Sequence, residues 1–437
     1  MSSEKRGLGV WSGVGLVVAN TVGVGVLTNT GYMAGRLGPG EILLAWLVGG
    51  VMALAGAGSY AAIAAAIPRS GGEYRYLSEL WHPALGSLAG WTSLLVGFSA
   101  PVALAASTAG PFFSTLVPGV RPVVVSVVVI VLATASQAIN LRWSKTTQNA
   151  FALVKAILLG GFIVGGLLFG HNAWPTWHAP EAQEGFPLRP FAVSLVYIAF
   201  AFSGWNTAIY AAEEFREPRR TVPLAMLIGT FLVAAVYLAV NWIFVANLSG
   251  ERLVAWLKED TSRITLAHLL IGELAGGRVA RLASLFVILS LISSVISMTM
   301  VGPRVSAAMA REGFLPRVLA GRDGRPPFGS VLLQSGLALI LLATHGFEEL
   351  LRSVGSILTL TSGLTVAALL RLRFTRRQVV ARPSWPLVGA ALIYLIGSGW
   401  MLYFTLTEAP HTLIWLAVVA LAAGSAYLVA RHRKNHH

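Results

Sequence analysis

The stretch Asn20-Thr21-Val22-Gly23-Val24-Gly25-Val26-Leu27 interrupts the first long apolar segment of the chain. A polar pair followed by two closely spaced glycines is unfavourable inside a helix that crosses a bilayer. In hydrocarbon every backbone N–H and C=O needs a partner, so a helix break is tolerated only where it faces protein or a watery cavity. The stretch therefore predicts a membrane helix that unwinds at one half of a binding site.

The composition of the whole chain agrees with a membrane protein. Of its 437 residues 55% are hydrophobic and only 11% are charged, and the mean hydropathy is +0.71. Soluble domains carry about 25% charged residues. There is no cysteine, which excludes thiolate metal sites and predicts that no ancillary subunit is attached by a disulfide. The N-terminal segment is too long and too polar-interrupted for a cleaved signal peptide, so we expect it to be retained.

The hydrophobic segments predict an all-α polytopic membrane protein. About 20 apolar residues cross a hydrocarbon core of about 30 Å. Scanning the chain with this length gives twelve predicted spans, of which the third and eighth are unusually long. They cover residues 8–33, 39–67, 83–117, 121–140, 143–170, 188–212, 222–248, 278–310, 328–345, 349–370, 385–406 and 411–430.

The net charge of +14 follows from membrane orientation and needs no anionic partner. With the N-terminus placed in the cytoplasm, most of the 32 Lys and Arg residues fall in cytoplasmic loops. We therefore expect both termini in the cytoplasm, an inner or plasma membrane location, contact with lipid headgroups and no nucleic-acid partner.

A second interruption lies in the sixth span, at Phe202-Ser203-Gly204-Trp205-Asn206-Thr207. The two interruptions are five spans apart, and this odd offset places the second copy upside down in the membrane. Transporters built from inverted repeats of five helices have this arrangement, with the substrate at the two broken helices. The predicted organisation is a tail (1–7), repeat 1 (8–170, spans 1–5), repeat 2 (188–370, spans 6–10), spans 11 and 12 (385–430) and a second tail (431–437).

Three motifs resemble those of the amino acid–polyamine–organocation (APC) superfamily, on its L-type amino acid transporter branch. The first is the Gly-x-Gly break at residues 22–26, and the second is the Pro-Arg-Ser-Gly-Gly-Glu-Tyr-Arg-Tyr connection at 68–76. The third and most specific is Phe-Ala-Phe-Ser-Gly-Trp-Asn at 200–206, followed by Glu213-Glu214 and a proline-rich exit at 218–223. The resemblance covers nearly the whole chain. It implies a LeuT-type fold and secondary transport of amino acids, commonly by exchange, without a cofactor.

The first break offers groups for the ends of an amino acid. The free N–H groups of Gly23, Val24 and Gly25 at the start of a half-helix suit a carboxylate. By the family match, the carbonyl of Thr21 would accept from the substrate ammonium. The alternative is that these glycines only allow tight helix packing. Val24 stands where many relatives have Ser or Thr, so only backbone donors remain here.

The second break would form the opposite wall. The resemblance implies that carbonyls of Phe200 and Ser203 bind the ammonium and that aromatic side chains line or gate the pocket. The alternative is an ordinary aromatic helix in a bundle, although an amide side chain facing lipid would be costly. The predicted binding residues of this span are Phe200, Phe202, Ser203, Gly204, Trp205 and Asn206.

Lys155 is the predicted coupling residue, because a lysine inside a fifth span costs about 2.5–3.5 kcal/mol on insertion scales. The alternative is that its side chain extends to the interface. In some sodium-independent relatives, a lysine here occupies the place of a bound cation and joins the first span to the eighth. The candidate partners, which could equally be small packing residues, are Ser290, Ser293, Ser294 and Ser297.

Several functional classes remain compatible with the sequence. We expect no buried carboxylate at the breaks, which favours a neutral amino acid as substrate over a cationic one. The alternatives are a cationic amino acid or polyamine antiporter, a non-transporting amino acid sensor and a channel. An enzyme is not expected, since the chain lacks Gly-x-x-x-x-Gly-Lys, His-Glu-x-x-His and Gly-x-Ser-x-Gly motifs. The histidines show no metal-ligand spacing.

Overall fold

The computed structural model describes residues 7–138, 145–175, 185–248, 256, 263–311, 313–321, 327–374 and 382–435. Within these ranges the regular structure is helical and contains no strand; an isolated bridge pairs Leu8 with Phe215. The helices are α1 Val10–Thr21, α2 Gly25–Met33, α3 Pro39–Ala66, α4 Gly72–Leu80, α5 Pro83–Thr92, α6 Ala100–Ser114, α7 Pro122–Ala138, α8 Lys145–Phe169, α9 Leu188–Ala201, α10 Thr207–Tyr210, α11 Pro218–Asn247, α12 Leu266–Ala275, α13 Gly277–Arg311, α14 Phe328–Thr344, α15 Phe347–Phe374, α16 Trp385–Glu408 and α17 Thr412–Asn435.

Seven of the described helices are long and apolar enough to cross a membrane, and the bent pair α1–α2 makes an eighth when counted as one span. The two long spans predicted from sequence are present, as Pro83–Ser114 and as α13 of 35 residues. Helices α7, α9 and α14 are apolar but have only 14 to 17 residues, fewer than the roughly 20 of a typical span. The fold is thus a helical membrane bundle, while the count of twelve spans stays a prediction.

Helix α5 continues into α6 through a π-helical turn at Ser93–Ser99, which the sequence did not reveal. The Ser99 hydroxyl donates to the carbonyl of Leu94, five residues earlier, at 2.8 Å. Turns of this type inside helices are frequent at functional sites. Here the turn places Ser93, Gly97 and Phe98 against a central cavity.

Candidate functional site

The first helix break lies where the sequence predicted it. Helix α1 ends at Thr21 and α2 begins at Gly25, with a bend of 42° between them. Helix α9 ends at Ala201, and a non-helical stretch leads to the short α10 from Thr207. The protein therefore contains both of the interruptions on which the site prediction depends.

The two breaks pack directly on each other, backbone against backbone. A Cβ atom on Gly204 would overlap the backbone of Asn20 and Thr21, and one on Gly25 would lie 2.7 Å from Cβ of Ala201. Only glycine allows this approach at both places. At Gly23 the nearest obstacle is the carbonyl of Thr21, at 3.8 Å. Gly25 and Gly204 thus serve close packing, whereas Gly23 has space beside it.

Tyr237 on α11 joins the ends of the two interrupted helices. Its hydroxyl lies 2.8 Å from the carbonyl oxygen of Thr21 and 3.0 Å from that of Ala201. Both carbonyls stand at helix C-termini, where the last turn leaves its acceptors without intrahelical partners. Tyr237 was not predicted from the sequence, because one tyrosine inside an apolar helix carries no motif.

Lys155 connects the first break to α13. Its Nζ donates to the carbonyl oxygen of Val22 at 3.2 Å and to Oγ of Ser294 at 2.9 Å. The Ser294 hydroxyl in turn lies 3.1 Å from the carbonyl of Ser290. The structure therefore brings together Lys155, the first break and Ser294. Ser293 and Ser297 line the same cavity as Lys155 and Ser294, with no described hydrogen bond to the lysine.

Two adjoining cavities meet at the breaks. The larger, of about 690 Å³, is lined by Asn20 and Gly23 of the first break, by Lys155 and by Ser70 and Arg75 near α4. Asn20 is exposed although it lies at the middle of a predicted span, so this cavity opens to solvent at the α4 end of the bundle. The smaller cavity, of about 170 Å³, extends between the second break and α5, α6, α15 and α16.

Aromatic side chains form one wall of the smaller cavity. The Trp205 ring covers Gly56 closely and lies between Tyr60 and Tyr394, with ring centroids 5.4 and 6.1 Å away. Phe202 lies beside Tyr237 at 5.0 Å. Such rings provide rigid apolar surface for a substrate side chain.

Phe200 and Ser203, whose carbonyls were predicted to bind the ammonium, are placed differently from each other. The Phe200 side chain is buried and lines neither of the two cavities described above, and its carbonyl already accepts from the N–H of Ser203 at 3.0 Å. Because the chain turns tightly here, the helix-terminal carbonyl at the break is that of Ala201, one residue later. Ser203 does line the smaller cavity.

Glu73 corrects the expectation that no buried carboxylate lies near the breaks. It is only 5% exposed, and its Oε1 accepts hydrogen bonds from the Tyr60 hydroxyl and from Nδ2 of Asn206, the latter at 3.2 Å. The sequence placed Glu73 in a polar connection beyond the second span. The connection instead folds back beneath the second break, and Glu73 lines the smaller cavity.

Comparison with known proteins identifies the family. A family model described as amino acid permease matches residues 8–424. The chain is similar to the mouse large neutral amino acids transporter small subunit 2, at 28% identity over 93% of this chain and 77% of the relative. It is also similar to the mouse Asc-type amino acid transporter 1, at 27% identity over 93% of this chain and 77% of the relative. The human b(0,+)-type amino acid transporter 1 is 27% identical over 90% of this chain and 82% of the relative.

These matches confirm the resemblance inferred from the three motifs. Together with the apolar helices, they make the chain a multi-pass membrane protein of amino acid transport and not an enzyme. The chain belongs to the amino acid permease family of the APC superfamily, among members similar to the L-type transporters.

Proposed function

We propose that the protein is a sodium-independent secondary transporter of neutral amino acids that works by alternating access, either as an exchanger or as a proton-coupled symporter. The observation that carries this proposal is the contact between two helix breaks beside a cavity that opens at one end. The ends of the broken helices offer complementary groups to the two charged ends of an amino acid.

The substrate carboxylate would bind the N–H groups of Gly23, Val24 and Gly25. They stand at the start of α2, where the first N–H groups have no partner within the helix and the dipole favours an anion. The space beside Gly23 allows a ligand to approach the backbone. The substrate ammonium would lie near the carbonyls that Tyr237 now joins, those of Thr21 and Ala201.

Lys155 supports independence from sodium. In broken-helix transporters, coupling ions are held by carbonyls of the unwound segments. Here the ammonium of Lys155 already donates to the Val22 carbonyl and to Ser294. A fixed cation at this place would keep the first break attached to α13 without a bound metal ion.

Neutral substrates are favoured by the walls of the smaller cavity. Among its described lining residues, Glu73 is the only one that can carry a charge near neutral pH. Burial raises the pKa of Glu73, which favours the uncharged form. The remaining wall is aromatic, aliphatic or hydroxyl-bearing, which suits an uncharged side chain.

The proposal includes the architecture inferred from the sequence: twelve spans, two five-span repeats at 8–170 and 188–370, two further spans at 385–430 and both termini in the cytoplasm. It is supported by two breaks that occur five predicted spans apart and meet at one site. In this orientation the larger cavity opens to the cytoplasm.

A counterflow assay with several labelled compounds tests the substrate class. Purified protein in liposomes loaded with unlabelled leucine would be given labelled leucine, alanine, arginine or putrescine, with sodium or potassium outside. We expect counterflow of leucine or alanine that does not change when potassium replaces sodium. Uptake of arginine and putrescine alone contradicts the proposal.

The alternative function that the structure also supports is that of a cationic amino acid or polyamine antiporter, because Glu73 provides a carboxyl group at the smaller cavity. Competition by arginine or putrescine that disappears in Glu73→Gln would establish it. A non-transporting sensor would bind amino acids without counterflow, and a channel would give single-channel currents.

A further inference from the structure

Two glycines turn the chain so that Glu73 enters the protein. Gly71 and Gly72 have φ values of +123° and +60°, which L side chains rarely adopt. A Cβ atom on Gly72 would also overlap the ring of Tyr210. Helix α4 can therefore start directly beneath α10, and the residue after these glycines is placed inside the protein although α4 itself belongs to a connection between two spans.

The Glu73 carboxyl holds three parts of the molecule together. It is carried by α4, accepts from Tyr60 of α3 and accepts from Asn206 at the end of the second break. Asn206 is the residue immediately before α10. Movement of α10 relative to α4 would therefore change the surroundings of this carboxyl group directly.

No cation neutralises Glu73 in the described part of the chain. The titratable groups that face it from other elements are the phenols of Tyr60 on α3, Tyr210 on α10 and Tyr394 on α16. On its own segment, Arg69 and Arg75 lie instead 3.6 and 3.8 Å from Glu79.

Helix α15 also packs against α4, and its Arg371 stacks on the Trp81 ring with 5.0 Å to the centroid. Desolvation raises the pKa of the Glu73 carboxyl, and the hydrogen bonds from Tyr60 and Asn206 oppose this shift. A buried carboxyl without a cation favours its protonated form.

We propose that Glu73 is a proton-binding residue of the transport cycle, protonated while α4 packs against α10 and deprotonated when this contact opens to water. The step breaks the O–H bond of the carboxyl group, transfers the proton to water and leaves a carboxylate. The proposal rests on the proposed function and assigns it a protonation site separate from Lys155.

Glu73→Gln is the informative variant. Glutamine keeps an acceptor oxygen for Tyr60 and Asn206 but cannot release a proton, so it imitates the protonated form. Leucine counterflow would be measured in proteoliposomes over a series of pH values on the side to which the larger cavity opens. Glu79→Gln is the matched control, because Glu79 lies on the same helix and pairs with surface arginines.

We expect the wild type and Glu79→Gln to share one pH dependence and Glu73→Gln to lose it. A pH-independent wild type overturns the proposal, as does a Glu73→Gln protein with the wild-type profile. Inhibition by arginine that is lost in Glu73→Gln also overturns it, since the carboxyl would then bind substrate. Absence of counterflow in the wild type would instead refute the proposed function.

Thermal unfolding in detergent tests Glu73 independently of transport. Because its pKa is raised in the folded state, that state binds more protons than the unfolded one between the unfolded and the folded pKa, so stability falls as pH rises through this window. Glu73→Gln removes this loss. We expect its Tm to exceed that of the wild type by a margin that widens with rising pH and vanishes in acid. A constant margin, or none, contradicts a titrating Glu73.

Discussion

The two ends of the helix bundle differ in how they are held. At one end, Glu348 and Glu408 join residues from distant parts of the chain: Arg36 lies 3.1 Å from Glu348 and 2.6 Å from Glu408, and Arg352 lies 3.0 and 3.4 Å from them. Tyr197 of α9 also donates to Glu348, at 2.8 Å. We call this the closed end.

The opposite end contains the mouth of the larger cavity, and we call it the open end. Its described ion pairs, Arg69–Glu79 and Arg75–Glu79, join residues of a single connection. Polar links between distant helices on this side are hydrogen bonds, from Lys155 to Val22 and Ser294 and from Tyr60 and Asn206 to Glu73. The closed end is thus held by ion pairs between helices, whereas the ion pairs found among the described residues of the open end stay within one connection.

Removing the shared carboxylate should weaken the closed end most. Glu348→Gln leaves Arg352, which is 9% exposed, with one fewer anionic partner, a loss of about 3 kcal/mol for a largely buried pair. The chain has no native cysteine, so a Ser353→Cys reporter at this end can be labelled alone. We expect a membrane-impermeant maleimide to label it at least about tenfold faster in the Glu348→Gln background.

The control is Glu349→Gln, because the Glu349 side chain is partly exposed and its one ion pair among the described residues is with His411, at 3.6 Å. It should leave the labelling rate unchanged. Equal labelling of Ser353→Cys with and without Glu348 contradicts the assigned role of the ion pairs.

Lys155 tests the open end. Lys155→Ala removes charge-assisted hydrogen bonds worth about 1.5–3 kcal/mol, so we expect leucine exchange to fall by roughly 10- to 100-fold. Lys155→Met preserves most of the apolar stem without the charge and should be equally impaired. Exchange restored by methionine would show that packing, and not the ammonium, matters here.

The contact between the two helix breaks lies between the closed end and the open end, and substitution of its glycines tests it. Gly204→Ala places a methyl group against the backbone of Asn20 and Thr21. Such overpacking lowers the free energy of unfolding by about 1–3 kcal/mol. We expect a lower Tm in detergent. Gly23→Ala meets no atom closer than 3.8 Å and should leave the Tm nearly unchanged; equal losses in the two variants would refute the proposed packing.

The smallest expected effect concerns the serine partner of Lys155. Ser294→Ala removes one hydrogen bond to the ammonium, worth about 1.5 kcal/mol, and should slow exchange by roughly tenfold. Ser297→Ala also alters the wall of the larger cavity but removes no described contact with Lys155. A larger effect at Ser297 than at Ser294 would show that the contact forms differently during transport.

The sequence predicted features that have a local physical signature. Glycines beside polar residues in apolar segments indicated the breaks after Thr21 and Ala201. A lone lysine in an apolar run indicated Lys155 as a residue with internal partners. Each of these signals arises because hydrocarbon penalises unpaired polar groups.

The features that were missed depend on tertiary packing. Tyr237 contacts both breaks only because α11 passes behind them. Glu73 lies in a polar segment that is typical of a surface loop, and its burial follows from the turn at Gly71–Gly72. The π-helical turn at Ser93–Ser99 has no sequence signal that we can identify.

The geometry of Tyr237 has a consequence for the proposed binding of an amino acid. A phenolic hydroxyl carries one hydrogen atom, yet two carbonyl oxygens lie within hydrogen-bond distance of it. The hydroxyl can therefore donate to one of the two carbonyl oxygens at a time. In the proposed binding mode, a primary ammonium with its three N–H donors would supply a hydrogen bond to the other carbonyl, so a bound amino acid would complete the hydrogen bonding at the ends of both interrupted helices.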